Sequence, residues 1–161
     1  MKIKGLIETD LINYKLPCMT IETSKCTFKC DKECGKRVCQ NSDLASAPDI
    51  EIPVKKIVSR YLGNQITQAI VFQGLEPFDT KEDLLECITE FRKYTTDPIV
   101  IYTGYTEPEI KNNFTYTFNE LKQFPNIIIK FGRYIPNHNS YYEQLLGVRL
   151  ASDNQYAKQI S

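Results

Sequence analysis

The sequence predicts an α/β protein with a mostly parallel sheet. Short apolar segments of strand type alternate with segments of helical periodicity along most of the chain. This alternation is typical of parallel strands joined by helical crossovers. In addition, each segment of unusual composition directly follows a strand candidate. Because ligands bind where parallel strands end, these segments are expected to meet at one edge of the sheet.

Four segments have the composition of strands. The first alternates between apolar and polar residues, and the other three are short apolar runs, as expected for strands buried on both faces. The four strand candidates cover residues 19–23, 68–72, 98–102 and 127–131. The segments that follow them are the cysteine-rich stretch after residue 23, residues 73–77, residues 103–106 and residues 132–134.

Three further segments have helical periodicity. Pro53 opens the first, and its apolar residues share one helical face before Gly63-Asn64 ends it. Those apolar residues are Val54, Ile57, Val58, Tyr61 and Leu62. Thr80, with an acid three residues later at Asp83, predicts a capping box at the start of the second helix. The third helical segment begins at Glu107 and reaches about residue 124.

Length and composition indicate one globular domain over residues 1–161. The formal net charge is zero, so the protein as a whole has no general attraction for nucleic acid. The N-terminus lacks the pattern of a secretory signal, and no apolar run is long enough for a membrane span. A cytoplasmic location without a membrane partner is therefore expected, and thiols stay reduced in the cytoplasm.

Four of the six cysteines lie close together in a mostly polar stretch. They are Cys26, Cys30, Cys34 and Cys39. No apolar periodicity explains them as core residues, and several thiolates in one loop are the ligands of a zinc ion or an iron–sulfur cluster. Zinc ligands usually come as two close pairs, whereas the gaps here are three, three and four residues. The spacing therefore favours a cluster, with a zinc-stabilised binding module as the alternative.

Several motifs, taken in order, resemble those of the radical S-adenosylmethionine family. Cys26-x-x-x-Cys30 and the later Val38-Cys39-Gln40-Asn41 resemble its cysteine signature. Gln73-Gly74-Leu75-Glu76-Pro77 resembles its Gly-Gly-Glu-Pro segment. Ile101-Tyr102-Thr103-Gly104-Tyr105-Thr106 is similar to a third segment, found in the activating enzymes of anaerobic ribonucleotide reductase. Two later segments resemble the C-terminal part of those enzymes: Gly132-Arg133-Tyr134 and the run from Arg149 to Gln155.

The resemblance implies an oxidoreductase, and we expect a partial, open β/α barrel. It implies a 4Fe-4S cluster with one iron left open for S-adenosyl-L-methionine. In the activating enzymes, reductive cleavage of that molecule produces a 5′-deoxyadenosyl radical, which takes a hydrogen atom from a glycine of the partner reductase. The implied partners are an anaerobic ribonucleotide reductase and an electron donor such as flavodoxin or ferredoxin. A radical enzyme acting on a small molecule is the alternative.

The resemblance also implies the site residues. The metal ligands are Cys26, Cys30 and Cys39, with residues 31–37 as an insertion and Cys34 as the alternative third ligand. The implied cofactor-binding residues are Asn41, Gln73, Gly74, Leu75, Glu76, Pro77, Tyr102, Thr103 and Gly104. Leu75 stands where the family usually has glycine, so its backbone φ is expected to be negative.

Overall fold

A computed structural model describes residues 1–161 and contains one large sheet with helices between its strands. The seven strands of this sheet lie in the order β3-β1-β2-β4-β5-β6-β9. Their bounds are β1 Lys2–Asp10, β2 Cys18–Thr23, β3 Ile50–Glu51, β4 Ala69–Gly74, β5 Ile99–Tyr102, β6 Ile127–Phe131 and β9 Tyr156–Gln159. A separate two-stranded hairpin pairs β7 (Tyr141–Glu143) with β8 (Val148–Leu150).

The four predicted strands form the centre of the sheet and are parallel. Strand β2 pairs with β4, β4 with β5, and β5 with β6, each in parallel register. The three outer pairings, which involve β1, β3 and β9, are antiparallel. The two edge strands, β3 and β9, do not pair with each other, so the sheet is open. The α/β class is confirmed, and the sheet is mixed rather than purely parallel.

The helices follow the crossovers between the parallel strands. Their bounds are α1 Lys29–Cys34, α2 Ser42–Ser46, α3 Val54–Gly63, a 3₁₀ helix Pro77–Thr80, α4 Lys81–Phe91, α5 Glu107–Asn113 and α6 Thr115–Leu121. Helices α3 to α6 pack on one face of the sheet and form the larger core with it. The opposite face packs against Tyr14, Leu146 and Leu150, which come from the β1–β2 connection and the β7–β8 hairpin.

Three details of the predicted helices are wrong. Leu62 is exposed rather than part of the apolar face of α3. Thr80 makes no capping bond, because it is the last residue of the 3₁₀ helix and its hydroxyl donates to the carbonyl of Pro77 instead. The third helical segment is two helices, since Phe114 leaves helical geometry between α5 and α6. No helix in the structure has both the length and the apolar character needed to cross a membrane.

Glu107 links α5 to the C-terminal strand. Its Oε1 lies 2.8 Å from Lys111 Nζ and 2.9 Å from Lys158 Nζ, and its Oε2 accepts a hydrogen bond of 3.2 Å from the Tyr156 hydroxyl. The hydrogen bonds from Lys111 and Lys158 lower the pKa of Glu107 from 4.5 to about 2. A carboxylate with a lowered folded-state pKa contributes stability above its unfolded pKa and loses that contribution as the pH falls through the folded one.

We therefore expect Glu107→Gln to lower the free energy of unfolding by about 1 kcal/mol near neutral pH, a modest value because both lysines are half exposed. The difference from wild type should shrink below the unfolded pKa of 4.5 and vanish near the folded value of about 2. Urea unfolding at a series of pH values measures this. The control is Glu86→Gln, at an exposed position of α4, which should leave the free energy of unfolding close to that of wild type. A Glu107→Gln difference that stayed constant with pH would contradict the assignment.

Candidate metal centre

A cavity of about 360 Å³ lies at the carboxyl edge of the parallel strands. The segments that follow β2, β4, β5 and β6 all contribute to its wall, as their positions in the sequence predict. The end of the β7–β8 hairpin closes another side through Arg149, Leu150 and Ala151. The volume falls within the range of small-molecule sites.

The floor of the cavity is a row of polar side chains across the sheet. Because side chains alternate along a strand, every second residue of each parallel strand lies on this face, and each strand has a polar residue there near its carboxyl end. Glu22 lies beside Gln73 in the β2–β4 register, and Tyr102 lies beside Lys130 in the β5–β6 register. All four line the cavity.

Lys130 is the buried cation of this row. It is 7% exposed, and its Nζ donates a hydrogen bond of 2.7 Å to the Gly132 carbonyl. Burial lowers the pKa of Lys130 to about 8, although the charge of nearby Glu76 acts to raise it. The cavity therefore contains both cationic and acidic side chains.

The cysteine loop folds so that Cys39 returns to the side of Cys30. The Asp31 carboxylate accepts hydrogen bonds of 2.8 Å from the backbone N–H groups of both Val38 and Cys39. These bonds lower the pKa of Asp31, the one from Val38 most strongly. They join the two ends of the segment between Asp31 and Val38, which projects as α1 and an exposed turn. The segment is therefore an exposed loop whose two ends are held together by Asp31.

Three of the four loop cysteines reach the cavity. Cys26, Cys30 and Cys39 line it, whereas Cys34 is exposed at the end of α1 and does not. Burial raises the pKa of Cys26 to about 12. Burial and the adjacent Cys39 raise the pKa of Cys30 to about 12 as well. Both are therefore protonated thiols at neutral pH, and metal binding releases their protons.

Gly74 forms the start of the neighbouring wall, in a conformation that favours glycine. Its φ is +90°, and an added Cβ would lie 2.9 Å from Glu22 Cβ and 3.0 Å from Glu22 Cα. Asn41, at the end of the cysteine loop, donates a hydrogen bond of 2.6 Å to the Gly74 carbonyl. Leu75 is not among the residues with positive φ, so its expected conformation is confirmed. The cysteine loop and the β4 end therefore hold each other in place.

Glu76 organises the rest of this wall. Its Oε1 accepts a hydrogen bond of 2.7 Å from the Thr103 hydroxyl, and its Oε2 accepts one of 2.8 Å from the Gly104 N–H. The Phe78 N–H donates a third bond, of 3.1 Å, to Oε1. Burial raises the pKa of Glu76 to about 7 in spite of these bonds. Glu76 thus ties the segment after β4 to the segment after β5.

A comparison with known families found a match over most of the chain. A family model described as the 4Fe-4S single cluster domain matches residues 18–156, which include the whole cysteine loop and all the parallel strands. The chain belongs to this 4Fe-4S single cluster family. Its cofactor is accordingly a 4Fe-4S cluster. Neither the curated proteins nor the solved structures contain a match to the chain.

The residues at the cavity fit such a cluster. Thiolates are the ligands that hold iron–sulfur clusters, and three cysteines share one wall. No three His, Cys, Asp or Glu side chains converge closely enough for a single metal ion. A 4Fe-4S cluster contains several irons, so each of the three thiolates can bind a different one. The backbone N–H of Phe28 also lies 3.2 Å from Cys26 Sγ, and hydrogen bonds to sulfur stabilise thiolates at a cluster.

The other predicted site residues divide into two groups. The cavity wall includes Asn41, Gln73, Gly74, Leu75, Glu76, Tyr102, Thr103 and Gly104. Pro77 lies outside it and begins the 3₁₀ helix. Tyr102 also has a structural contact, because its hydroxyl donates a bond of 2.7 Å to the Asn13 carbonyl.

Three further residues line the cavity and were not among the predicted site residues: Asn13, Glu22 and Lys130. Lys130 could have been recognised as a lysine within the otherwise apolar Ile127–Phe131 strand. Glu22 belongs to the alternating strand pattern, so its position on the inner face could also have been inferred. Asn13 lies in a connection with no recognisable pattern.

Proposed function

We propose that this 4Fe-4S protein is a radical S-adenosylmethionine activating enzyme. The observation that carries the proposal is that Cys26, Cys30 and Cys39 share one cavity with the Gly74–Glu76 wall, while Cys34 stays outside it. Three thiolates on a four-iron cluster leave one iron for an exogenous ligand. The adjoining wall has the sequence that resembles the methionine-binding segment of that family.

In this proposal the three cysteines hold the cluster, and the residues around it bind the methionine end of S-adenosylmethionine. That end carries an ammonium and a carboxylate, and the cavity contains both acidic side chains, Glu22 and Glu76, and cationic ones, Lys130 and Arg133. Asn41 and Glu76 hold the wall through the Gly74 carbonyl and the Gly104 N–H. Tyr102 and Thr103 complete the side formed by the end of β5.

The cluster, once reduced, would supply one electron to the sulfonium, whose C–S bond splits to give methionine and a 5′-deoxyadenosyl radical. The protein's task is to orient the sulfonium beside the open iron and to exclude water. The segments after β5 and β6 resemble those of the activating enzymes of anaerobic ribonucleotide reductase, whose substrate is a large protein. We propose an anaerobic ribonucleotide reductase, with a glycine as the hydrogen donor, flavodoxin or ferredoxin as electron source, and the cytoplasm as location.

The first test is anaerobic reconstitution followed by reduction. We expect about four irons and four sulfides per chain, and release of 5′-deoxyadenosine from S-adenosylmethionine when dithionite is added. A loaded cluster that leaves S-adenosylmethionine intact would refute the radical chemistry while leaving the family assignment in place. Zinc in place of iron would instead support the binding-module alternative.

The second test concerns the substrate. Mixing the reduced protein with an anaerobic ribonucleotide reductase and S-adenosylmethionine should generate the doublet of a glycyl radical in the electron paramagnetic resonance spectrum. A reductase whose glycine is replaced by alanine is the control. Cleavage of S-adenosylmethionine without any glycyl radical would favour the small-molecule enzyme.

A further inference from the structure

Glu109 connects the cysteine loop to the end of β6. Its carboxylate pairs with Lys29, which lies next to Cys30 in the chain. The same carboxylate accepts two hydrogen bonds of 2.9 Å from Arg133 Nη2, one on each oxygen. Arg133 in turn lies 3.4 Å, through Nε, from Glu33 Oε2 in α1. We call the three residues Lys29, Glu109 and Arg133 the loop clamp.

The loop clamp is partly buried, and Lys29 is its most exposed member, with a side chain that is 40% exposed. The Glu109 side chain is 21% exposed and that of Arg133 is 13% exposed. The Thr106 N–H and hydroxyl donate bonds of 2.8 and 3.1 Å to Glu109 Oε2, in a capping box at the start of α5. Burial alone would raise the pKa of Glu109, but its bonds with Lys29, Thr106 and Arg133 lower it to about 2. The carboxylate is therefore a fixed anion near the cluster loop.

The loop needs such support because its backbone is strained. Phe28 has φ 52° and ψ 43°, a left-handed conformation that is unfavourable for a large side chain and persists only where its surroundings enforce it. On one side of it, the Thr27 N–H donates a bond of 2.7 Å to Asp79 Oδ2. On the other side, Lys29 is held by Glu109. The turn that separates Cys26 from Cys30 is thus fixed at both ends.

We propose that Glu109 is a positioning residue for the iron–sulfur cluster. It fixes the Cys26–Cys30 turn through Lys29, and its charge balances the two cations, Lys29 and Arg133, that stand beside the cluster site. The inference rests on the 4Fe-4S cluster of the family and not on the use of S-adenosylmethionine, so it stands if the proposed reaction fails.

The chain offers a matched control for this proposal. Glu107 lies in the same turn of α5, and its pKa is also lowered to about 2 by lysine partners. Its contacts, however, are with Lys111, Tyr156 and Lys158, away from the cysteine loop. Glu107→Gln and Glu109→Gln therefore remove the same charge from one helix, and only the second should affect the cluster.

The experiment compares reconstituted wild type, Glu109→Gln and Glu107→Gln. We expect Glu109→Gln to release iron to a chelator about tenfold faster than wild type, the lower end of the loss seen when groups that support metal ligands are removed. Its cluster should also have a more positive reduction potential, because one negative charge is removed while Lys29 and Arg133 stay charged. Glu107→Gln should match wild type in both measurements.

A third variant separates position from charge. Glu109→Asp keeps the negative charge but is one methylene too short to reach both Lys29 and Arg133. Its reduction potential should stay close to that of wild type, while its iron release should be as fast as that of Glu109→Gln. Wild-type iron release and potential in Glu109→Gln would overturn the proposal. Equal effects in Glu107→Gln and Glu109→Gln would also overturn it, since general destabilisation would then explain both.

Discussion

Cys39→Ala is expected to abolish cluster assembly, whereas Cys34→Ala leaves it intact. Cys39 lines the cavity beside Cys30, held there by the bond from its N–H to Asp31. Cys34 is exposed at the end of α1. It lies in the segment whose two ends are joined by the hydrogen bonds from the Val38 and Cys39 N–H groups to Asp31. Iron and sulfide content after anaerobic reconstitution, with the visible absorption of the cluster, measures both variants.

Two further variants test whether the cavity cysteines act as one set. Cys26→Ala and Cys30→Ala should fail to assemble the cluster in the same way as Cys39→Ala, because each would remove one of three ligands. Cys87→Ala provides a control in the core, since Cys87 is buried in α4 away from the cavity. If Cys34→Ala lost the cluster and Cys39→Ala kept it, the ligand set would be Cys26, Cys30 and Cys34.

The spacing of the cysteines could not decide between Cys34 and Cys39. The two lie five residues apart in a polar stretch without hydrophobic periodicity, so no local pattern distinguishes them. The distinguishing contact is the Asp31 carboxylate with the N–H groups of Val38 and Cys39. An aspartate can make such bonds with many partners, and the choice among them depends on the packed structure.

The central strands were predictable because they are buried on both faces. Residues such as Ile70, Val71 and Phe72 are fully buried, and a short run of apolar residues is the direct consequence. The convergence of the cysteine loop with the ends of β4, β5 and β6 then followed from parallel topology alone. It required no knowledge of side-chain contacts.

The outer antiparallel strands β1 and β9 were not predictable in the same way. Strand β1 is mostly exposed or partly exposed, and β9 has no buried residue, so their sequences carry charged residues and no clear alternation. Strand β1 pairs with β2, the next strand in the chain, and β9 pairs with β6, from which the β7–β8 hairpin separates it. Glu109 was missed because its contacts are not local. Its partners Lys29 and Arg133 are far from it in the sequence.

Gly74→Ala is expected to have the second large effect. The φ of +90° at Gly74 is strained for alanine, and the added methyl would lie 3.0 Å from the Glu22 Cα, a backbone atom that cannot turn away. We expect the free energy of unfolding to fall by about 1–3 kcal/mol, measured by urea unfolding. If the Gly74–Glu76 wall binds S-adenosylmethionine as proposed, its displacement should also lower the cleavage rate by about a hundredfold at equal cluster content.

Gly104→Ala is the matched comparison, because Gly104 lies across the same cavity and has ordinary space around it. A Cβ there would meet Glu76 Oε2 at 3.5 Å and Arg133 Cβ at 3.6 Å, and its φ lies outside the left-handed region. Its unfolding free energy should therefore stay within about 0.5 kcal/mol of wild type. Equal stability of the two variants would show that the positive φ at Gly74 is not required. Lower stability of Gly74→Ala with an unchanged cleavage rate would show that this wall is structural, and that S-adenosylmethionine binds elsewhere.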